Sequence, residues 1–343
     1  MKRFLCVILG SVLLLTACTV TPSSQTKRYT ATFLTLFDTV TSIVGFAPSE
    51  EEFHTTAQNI HDALLEYHQL FDIYNDYEGI NNLKTINDHA GKSAVQVDRK
   101  IIDLLLDCKQ YYDATDGVVN VALGGVLQLW HEARSDSIDD PTHAYLPDTA
   151  ALERAAEHCD LDSVVIDERA STVLITDSLV QLDVGAIAKG WALEQVARQA
   201  PEGLLISVGG NVCATGAKDA DGTPWIVGIQ NPDDAEQYLH SIYVYAECGS
   251  VVTSGDYQRT YAVDGVMYHH IIDPQTLYPS TRWRSVSIVC ADSGAADALS
   301  TALFLLDYEA GLALLAQFDA EAMWVAPDGT MQYSPGFEAL IRT

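Results

Sequence analysis

The sequence predicts an α+β fold, with mixed α/β content and sheets flanked by helices. Three observations carry this. Short runs rich in β-branched residues recur and are broken by Gly, Asn and Asp turn signals. Segments with apolar residues at helical spacing stand between them. No low-complexity block or short-period repeat interrupts the alternation.

The elements follow in order. FLTLFDTVTSIVGF (33–46) alternates and predicts a first strand. Phe53, Ala57, Ile60, Leu64 and Phe71 recur at helical spacing, predicting an amphipathic helix from Glu50 to Phe71. Residues 72–87 are polar and turn-rich and read as a loop. Residues 99–115 predict a second helix, and 116–130 a short helix after a Gly-punctuated start. Residues 133–149 read as a surface excursion, followed by a short helix over 149–158. In the second half, 163–176 predicts a hairpin, and 180–200 a strand, a glycine turn and a helix. Strands are expected in 203–216, 224–231 and 240–255, and a Val-Asp-Gly hairpin in 261–274. SVSIVCA (285–291) reads as a buried strand feeding the helix AADALSTALFLL (295–306), and a last hairpin closes the chain.

The chain has 343 residues, 48% of them hydrophobic, enough for a sizeable core. Its formal charge is −28, from 19 basic and 47 acidic residues. That balance is a solvated acidic surface, and it argues against nucleic acid as a partner. Any anionic ligand meets an adverse field, which makes a bound cation useful.

At the N-terminus, Lys2 and Arg3 precede an apolar run, Phe4 to Leu15, too short to span a bilayer and shaped like a signal-peptide core. It ends in LTAC, which resembles a bacterial lipobox with Cys18 as the lipidated residue; an ordinary signal peptide is the alternative. The expected layout is a leader at 1–18, a flexible tether at 19–32 and one main domain at 33–340, exported and anchored to the outer face of the cell membrane by lipid. Of seven cysteines, the five beyond Cys18 are widely spaced without a CxxC pair, so neither a disulfide framework nor a zinc site is expected.

Several stretches carry chemistry. In DVGAIAKG (183–190), Asp183 ends a strand and small residues lead into a helix, with Lys189 adding a positive charge. This is either a phosphate cradle or a tight αβ turn, and it is neither a Walker A nor a GxGxxG sequence. SVGGN (207–211) and VTSGDY (252–257) put glycines and hydroxyls after strands. YHHIIDP (268–274) holds two histidines that point to opposite faces of a strand, one of them a candidate base. Asp297 and Thr301 lie one helical turn apart in an otherwise apolar run. A carboxylate and a hydroxyl are hard oxygen donors suited to Mg²⁺; a buried Asp capping backbone amides is the alternative.

LDVGAIAKGWA, SVGGN, PWIVGIQNP, VVTSGDYQRTY, YHHIIDPQT and SVSIVCADSGAADALSTALF, in that order, resemble the ApbE family of FAD:protein FMN transferases. The resemblance spans roughly 33 to 337. It implies T-fold-like sheets flanked by helices, with FAD in a cleft between subdomains. It implies Mg²⁺ at the pyrophosphate, transfer of FMN to a Thr or Ser hydroxyl of an acceptor protein, and release of AMP. Asp297, Thr301 and the Ala186 carbonyl take the metal-ligand positions. Tyr74, Val118, Val119, Asn120, Asp183, Lys189 and Ile271 fall at FAD-contact positions. His270 matches the His of HxxDP and is the catalytic candidate beside Asp297, with His269 facing away. The acceptor implied is a flavoprotein subunit of a membrane electron-transport complex of the Nqr or Rnf type. An FAD pyrophosphatase, a non-catalytic FAD-binding lipoprotein and a solute-binding lipoprotein are the competing readings.

Five positions depart from the family pattern. Phe37-Asp38 stands where Met-Gly is usual, and Asn120 where Asp is common; Phe37 and Asn120 bear on flavin affinity or orientation. Ser300 stands where some members carry an acidic ligand. Leu277 stands where Gly is usual, so that turn is expected to differ.

Overall fold

A computed structural model describes residues 26–245 and 249–342. The strand expected at 33–46 is a hairpin of two, β1 (Lys27–Leu36) and β2 (Thr39–Ala47). Phe37 and Asp38 between them both sit at φ +52°, the left-handed pair that a two-residue type I′ turn requires. Residues 27–32, expected as tether, belong to β1. Helix α1 (Glu50–Phe71) follows as predicted and buries the 3.6-period face Phe53, Ala57, Ile60, Leu64 and Phe71.

The expected loop at 72–87 contains α2 (Leu83–Asp88), nucleated by a capping box in which Asn82 and Thr85 satisfy each other's backbone N–H. After β3 (Val95–Gln96) come α3 (Arg99–Ala114) and α4 (Gly124–Asp139). Helix α4 continues through residues expected as surface excursion, because Val126, Trp130 and Ala133 keep one buried stripe. Next are α5 (Thr149–Ala156) and a hairpin of β4 (Val164–Asp167) and β5 (Thr172–Ile175). The strand expected near 180 is a single bridge, Gln181 to Leu123, before α6 (Ala188–Ala197).

The remaining elements are β6 (Leu204–Val208), β7 (Asn211–Ala214), β8 (Trp225–Asn231), β9 (Asp234–Val244), β10 (Ser250–Gly255), β11 (Tyr261–Val263), β12 (Val266–Tyr268), β13 (Ser285–Cys290), α7 (Ser293–Leu305), α8 (Tyr308–Leu315), β14 (Ala320–Val325) and β15 (Met331–Tyr333). Eight strands form one antiparallel sheet in the order β1-β2-β6-β7-β10-β13-β14-β15.

Two faces of that sheet are covered differently. Strand β13 is buried at every position, Ser285 and Ser287 included. Its Val286 and Ile288 pack with Leu299 and Leu303 of α7. On the other face Val289 joins Trp225, Val227 and Ile242 of the β8–β9 hairpin. Helices α1, α3 and α6 share a further core with Ile43 and Ile206 of the sheet.

Candidate active site

Helix α7 is almost wholly apolar, and Asp297 is its one charged residue. Its start is fixed from α6. Glu194 Oε2 accepts from Ser293 N at 2.8 Å, and Arg198 donates to Asp292, the N-cap, at 3.0 Å. The two helices approach closely at Gly190, where an added Cβ would lie 2.6 Å from Asp297 Cβ and overlap the Ser293 carbonyl. That contact brings Gly190 N within 2.9 Å of Asp297 Oδ2. Lys189 Nζ stands 3.6 Å from the same oxygen and 3.4 Å from Gly185 O. Asp297 is 4% exposed, and its Oδ1 takes no hydrogen bond from the described residues.

Thr301, one turn on, is the one α7 residue left partly open, and it faces the same cleft. Ala186 lines that cleft as well. A lone carboxylate oxygen, a hydroxyl and a backbone carbonyl are hard donors that fit Mg²⁺. With one charge between them they leave most of its shell to water and phosphate oxygens. No group of three or more His, Cys, Asp or Glu that would suit a softer metal occurs among the described residues. Ser300 is spent elsewhere: its hydroxyl bonds Asp297 O at 2.9 Å and Ser254 Oγ at 2.8 Å.

The two histidines divide their tasks by tautomer. His269 Nε2 donates to Ser280 O at 2.7 Å, and its Nδ1 accepts from Ile271 N at 3.1 Å. Both nitrogens are used, and the ring meets Phe304 edge-on at 5.6 Å. His269 was expected to face away; it forms part of the cleft wall while its hydrogen bonds fix the backbone. His270 Nδ1 donates to Gln258 O at 3.2 Å, which leaves Nε2 as a proton acceptor. Part of the ring is open to the cleft, yet dense surroundings push its pKa down to about 3, burial first and then the charges of Arg259 and Lys189. The imidazole is therefore neutral at neutral pH, and it is a weak base until an anion in the cleft offsets the charges of Arg259 and Lys189.

Asp183 accepts from Gly185 N at 2.8 Å; burial raises its pKa, opposed by that hydrogen bond and by Arg259. Tyr74 is aimed by Asp72, whose Oδ1 accepts from Tyr74 N at 2.6 Å and from Asn75 N at 3.0 Å. The Tyr74 ring stacks on His131 of α4, with centroids 5.0 Å apart. Val118, Val119 and Ile271 supply an apolar wall. Asn120 lines the cleft, but its side chain works as scaffold: Nδ2 donates to Cys159 O at 2.8 Å and Oδ1 accepts from Ala122 N at 2.9 Å. Phe37 does not reach the cleft; its N–H donates to His68 at 3.2 Å and its ring meets that histidine edge-on at 5.5 Å.

Leu277 corrects an expectation. It sits at φ +63°, so the turn keeps the conformation glycine would adopt. Its carbonyl accepts from Trp130 Nε1 at 2.9 Å and its side chain packs in the cluster around Trp130.

Every site residue expected from the sequence, Cys18 excepted, thus lines one cleft. Cys18 lies outside the described residues. Sequence reasoning missed His131 and Arg134, which α4 points at the cleft three residues apart, and Arg259 and Tyr261 from the segment after β10. Arg259 and Tyr261 lay inside motif-bearing stretches and were findable there; His131 and Arg134 carried the signature of a solvated helix face. Asn211 Nδ2 is a further missed donor, buried at the cleft without a partner among the described residues.

The chain is 36% identical over 278 residues to an FAD:protein FMN transferase of Treponema pallidum, covering 76% of this chain and 75% of the relative. It is 32% identical over 268 residues to one of Klebsiella pneumoniae, covering 75% and 80%. The structure of an ApbE protein from Thermotoga maritima superposes with a TM-score of 0.80 at 28% identity, covering 92% of this chain and all of that one. The ApbE family model matches residues 37–324, from the turn after β1 into β14, and the chain belongs to the ApbE family.

Proposed function

We propose that the protein transfers FMN from FAD to a Thr or Ser hydroxyl of an acceptor flavoprotein and releases AMP. The observation that carries the reading is one cleft holding the free carboxylate oxygen of the buried Asp297, a hydroxyl one turn away, and the ring of His270 beside Lys189 and Arg259. The names of the relatives support it.

Asp297, Thr301 and the Ala186 carbonyl would hold Mg²⁺. When bound, the ion neutralises pyrophosphate charge and polarises the phosphorus. Lys189 adds charge from the neighbouring helix, and Tyr74, Val118, Val119 and Ile271 give a planar ring system an apolar bed. His270 Nε2 accepts the proton of the acceptor hydroxyl as its oxygen bonds the FMN phosphorus. The bond from that phosphorus to the bridging oxygen breaks, and AMP leaves with the electron pair.

The acceptor we propose is a subunit of a membrane electron-transport complex of the Nqr or Rnf type. We further propose an exported protein anchored through lipid on Cys18. Among the described residues no helix is long and apolar enough to cross a membrane.

The direct test incubates the protein with FAD and MgCl₂, with and without an acceptor domain bearing the target Thr. AMP release and an FMN mass increase on the acceptor are followed, with Asp297→Ala alongside. Metal-dependent labelling lost in the variant is expected. AMP with free FMN and no labelling makes the protein a pyrophosphatase. Tight FAD binding without AMP leaves a binding protein.

A further inference from the structure

Arg134 is half-buried on α4 and has no carboxylate partner among the described residues; its one close polar contact is His131 Nδ1 at 2.9 Å. Burial and the neighbouring charge of Arg259 both work against its protonated form. A guanidinium stays charged regardless, so the arrangement costs free energy until an anion arrives. Arg259 is held at φ +48°, a left-handed conformation that costs an L-residue about 1 kcal/mol or more. Tyr261 is 5% exposed, and its hydroxyl is buried without a hydrogen-bond partner among the described residues. All three line the cleft, but none belongs to α6 or α7, which carry Lys189 and Asp297. Two guanidinium groups without a carboxylate in ion-pair reach among the described residues, beside an unpartnered hydroxyl, describe a site waiting for oxygen atoms of negative charge.

We propose that Arg134, Arg259 and Tyr261 form a second anion subsite, independent of the metal, that takes the phosphate oxygens of one half of the dinucleotide. The inference rests on the FAD reading and deepens it. With Asp297, Thr301 and Lys189 on one wall and these donors on another, the cleft meets the joined phosphates from two sides. The shared chemistry is a 5′-phosphate, from either the adenylate or the flavin mononucleotide, and the arms of the test separate the two.

Binding of AMP, FMN, adenosine and riboflavin to the full chain is measured in EDTA, by calorimetry or flavin fluorescence, for wild type, Arg134→Gln, Arg134→Lys and Tyr261→Phe. Arg134→Gln is expected to weaken one mononucleotide about tenfold or more, the loss of a charge-assisted hydrogen bond. The matching nucleoside, which lacks the phosphate, is expected to bind unchanged. Arg134→Lys recovers part of the loss, and Tyr261→Phe, which keeps the ring, weakens the same mononucleotide by about threefold or more. The mononucleotide affected names the phosphate. Binding of both mononucleotides within about twofold of wild type in all variants overturns the subsite and leaves the FAD reading standing. Equal losses for nucleoside and nucleotide overturn it too, because they report packing. Wild type that binds neither mononucleotide in EDTA overturns the subsite, and wild type that binds no FAD even with MgCl₂ overturns the FAD reading with it.

Discussion

His270 shows how little of a residue's role lies in its identity. Two adjacent histidines differ because His269 gives both nitrogens to backbone atoms and His270 gives one. The pKa of His270 is depressed from 6.5 to about 3, so the unfolded chain binds more protons between those values. Its contribution to stability is present above pH 6.5 and is lost as pH falls toward 3. Thermal melts at pH 7.5 and about pH 5 are therefore expected to fall further for wild type than for His270→Gln. At neutral pH the same variant is expected to lose about 10²- to 10⁴-fold in transfer rate while still binding FAD. An unchanged rate removes His270 as the base.

Asn120 makes a second case at this scale. An aspartate there would lose the donor to Cys159 O and set two acceptors against each other. Asn120→Asp is expected to destabilise by about 1–3 kcal/mol, read from the denaturant midpoint. The sequence offered a flavin contact; the hydrogen bonds assign the side chain to holding the Val118–Asn120 wall in place.

Elements were legible where their period was long enough to declare itself. Helix α1 runs for 22 residues and could be read from five apolar positions. Helix α2 has six residues, and only its Asn82–Thr85 capping box marks it. Hairpins were legible where Asp-Gly stood at the turn, as at Asp264 and Gly265, and missed where Phe37-Asp38 took the same conformation without glycine. Leu277 is the same lesson with a measurable cost. Leu277→Gly trades about 1 kcal/mol of relieved strain against a similar loss of packing, so stability is expected to move by less than about 1 kcal/mol. Leu277→Val keeps the strain and adds branching at Cβ, and is expected to destabilise by about 1–2 kcal/mol. Equal effects in a urea titration remove the strain argument. The motif residues of the site were readable because each motif is contiguous. Those on α4 were not, because only the tertiary fold turns His131 and Arg134 toward the cleft.

For the whole molecule, the charge of −28 opposes an incoming dianion, while the cleft gathers Lys189, Arg134 and Arg259 against Asp183 and Asp297. The repulsion is long-ranged and the attraction local. Salt at about 0.1 M shortens electrostatic reach to about 10 Å, which screens the first more than the second. The FAD association rate is therefore expected to rise between about 10 and 150 mM salt, read by stopped-flow fluorescence. A steep fall means that the cleft's own field dominates at distance.

The order of the large sheet has a consequence for how such a molecule can be rebuilt. Its strands follow one another in chain order from edge to edge, so anything inserted between two of them can grow, shrink or be exchanged without rethreading the sheet. Helix α4 lies in the excursion between β2 and β6, and β11–β12 in the one between β10 and β13. Asp297 instead belongs to α7, packed directly on β13. Asp297 and Thr301 are thus bolted to the frame, and most of the rest of the cleft is carried on inserts. Ala186, Lys189 and His270 stand in those same two inserts, so a graft from a relative alters ligand preference with the phosphorus chemistry kept only where these three residues are retained.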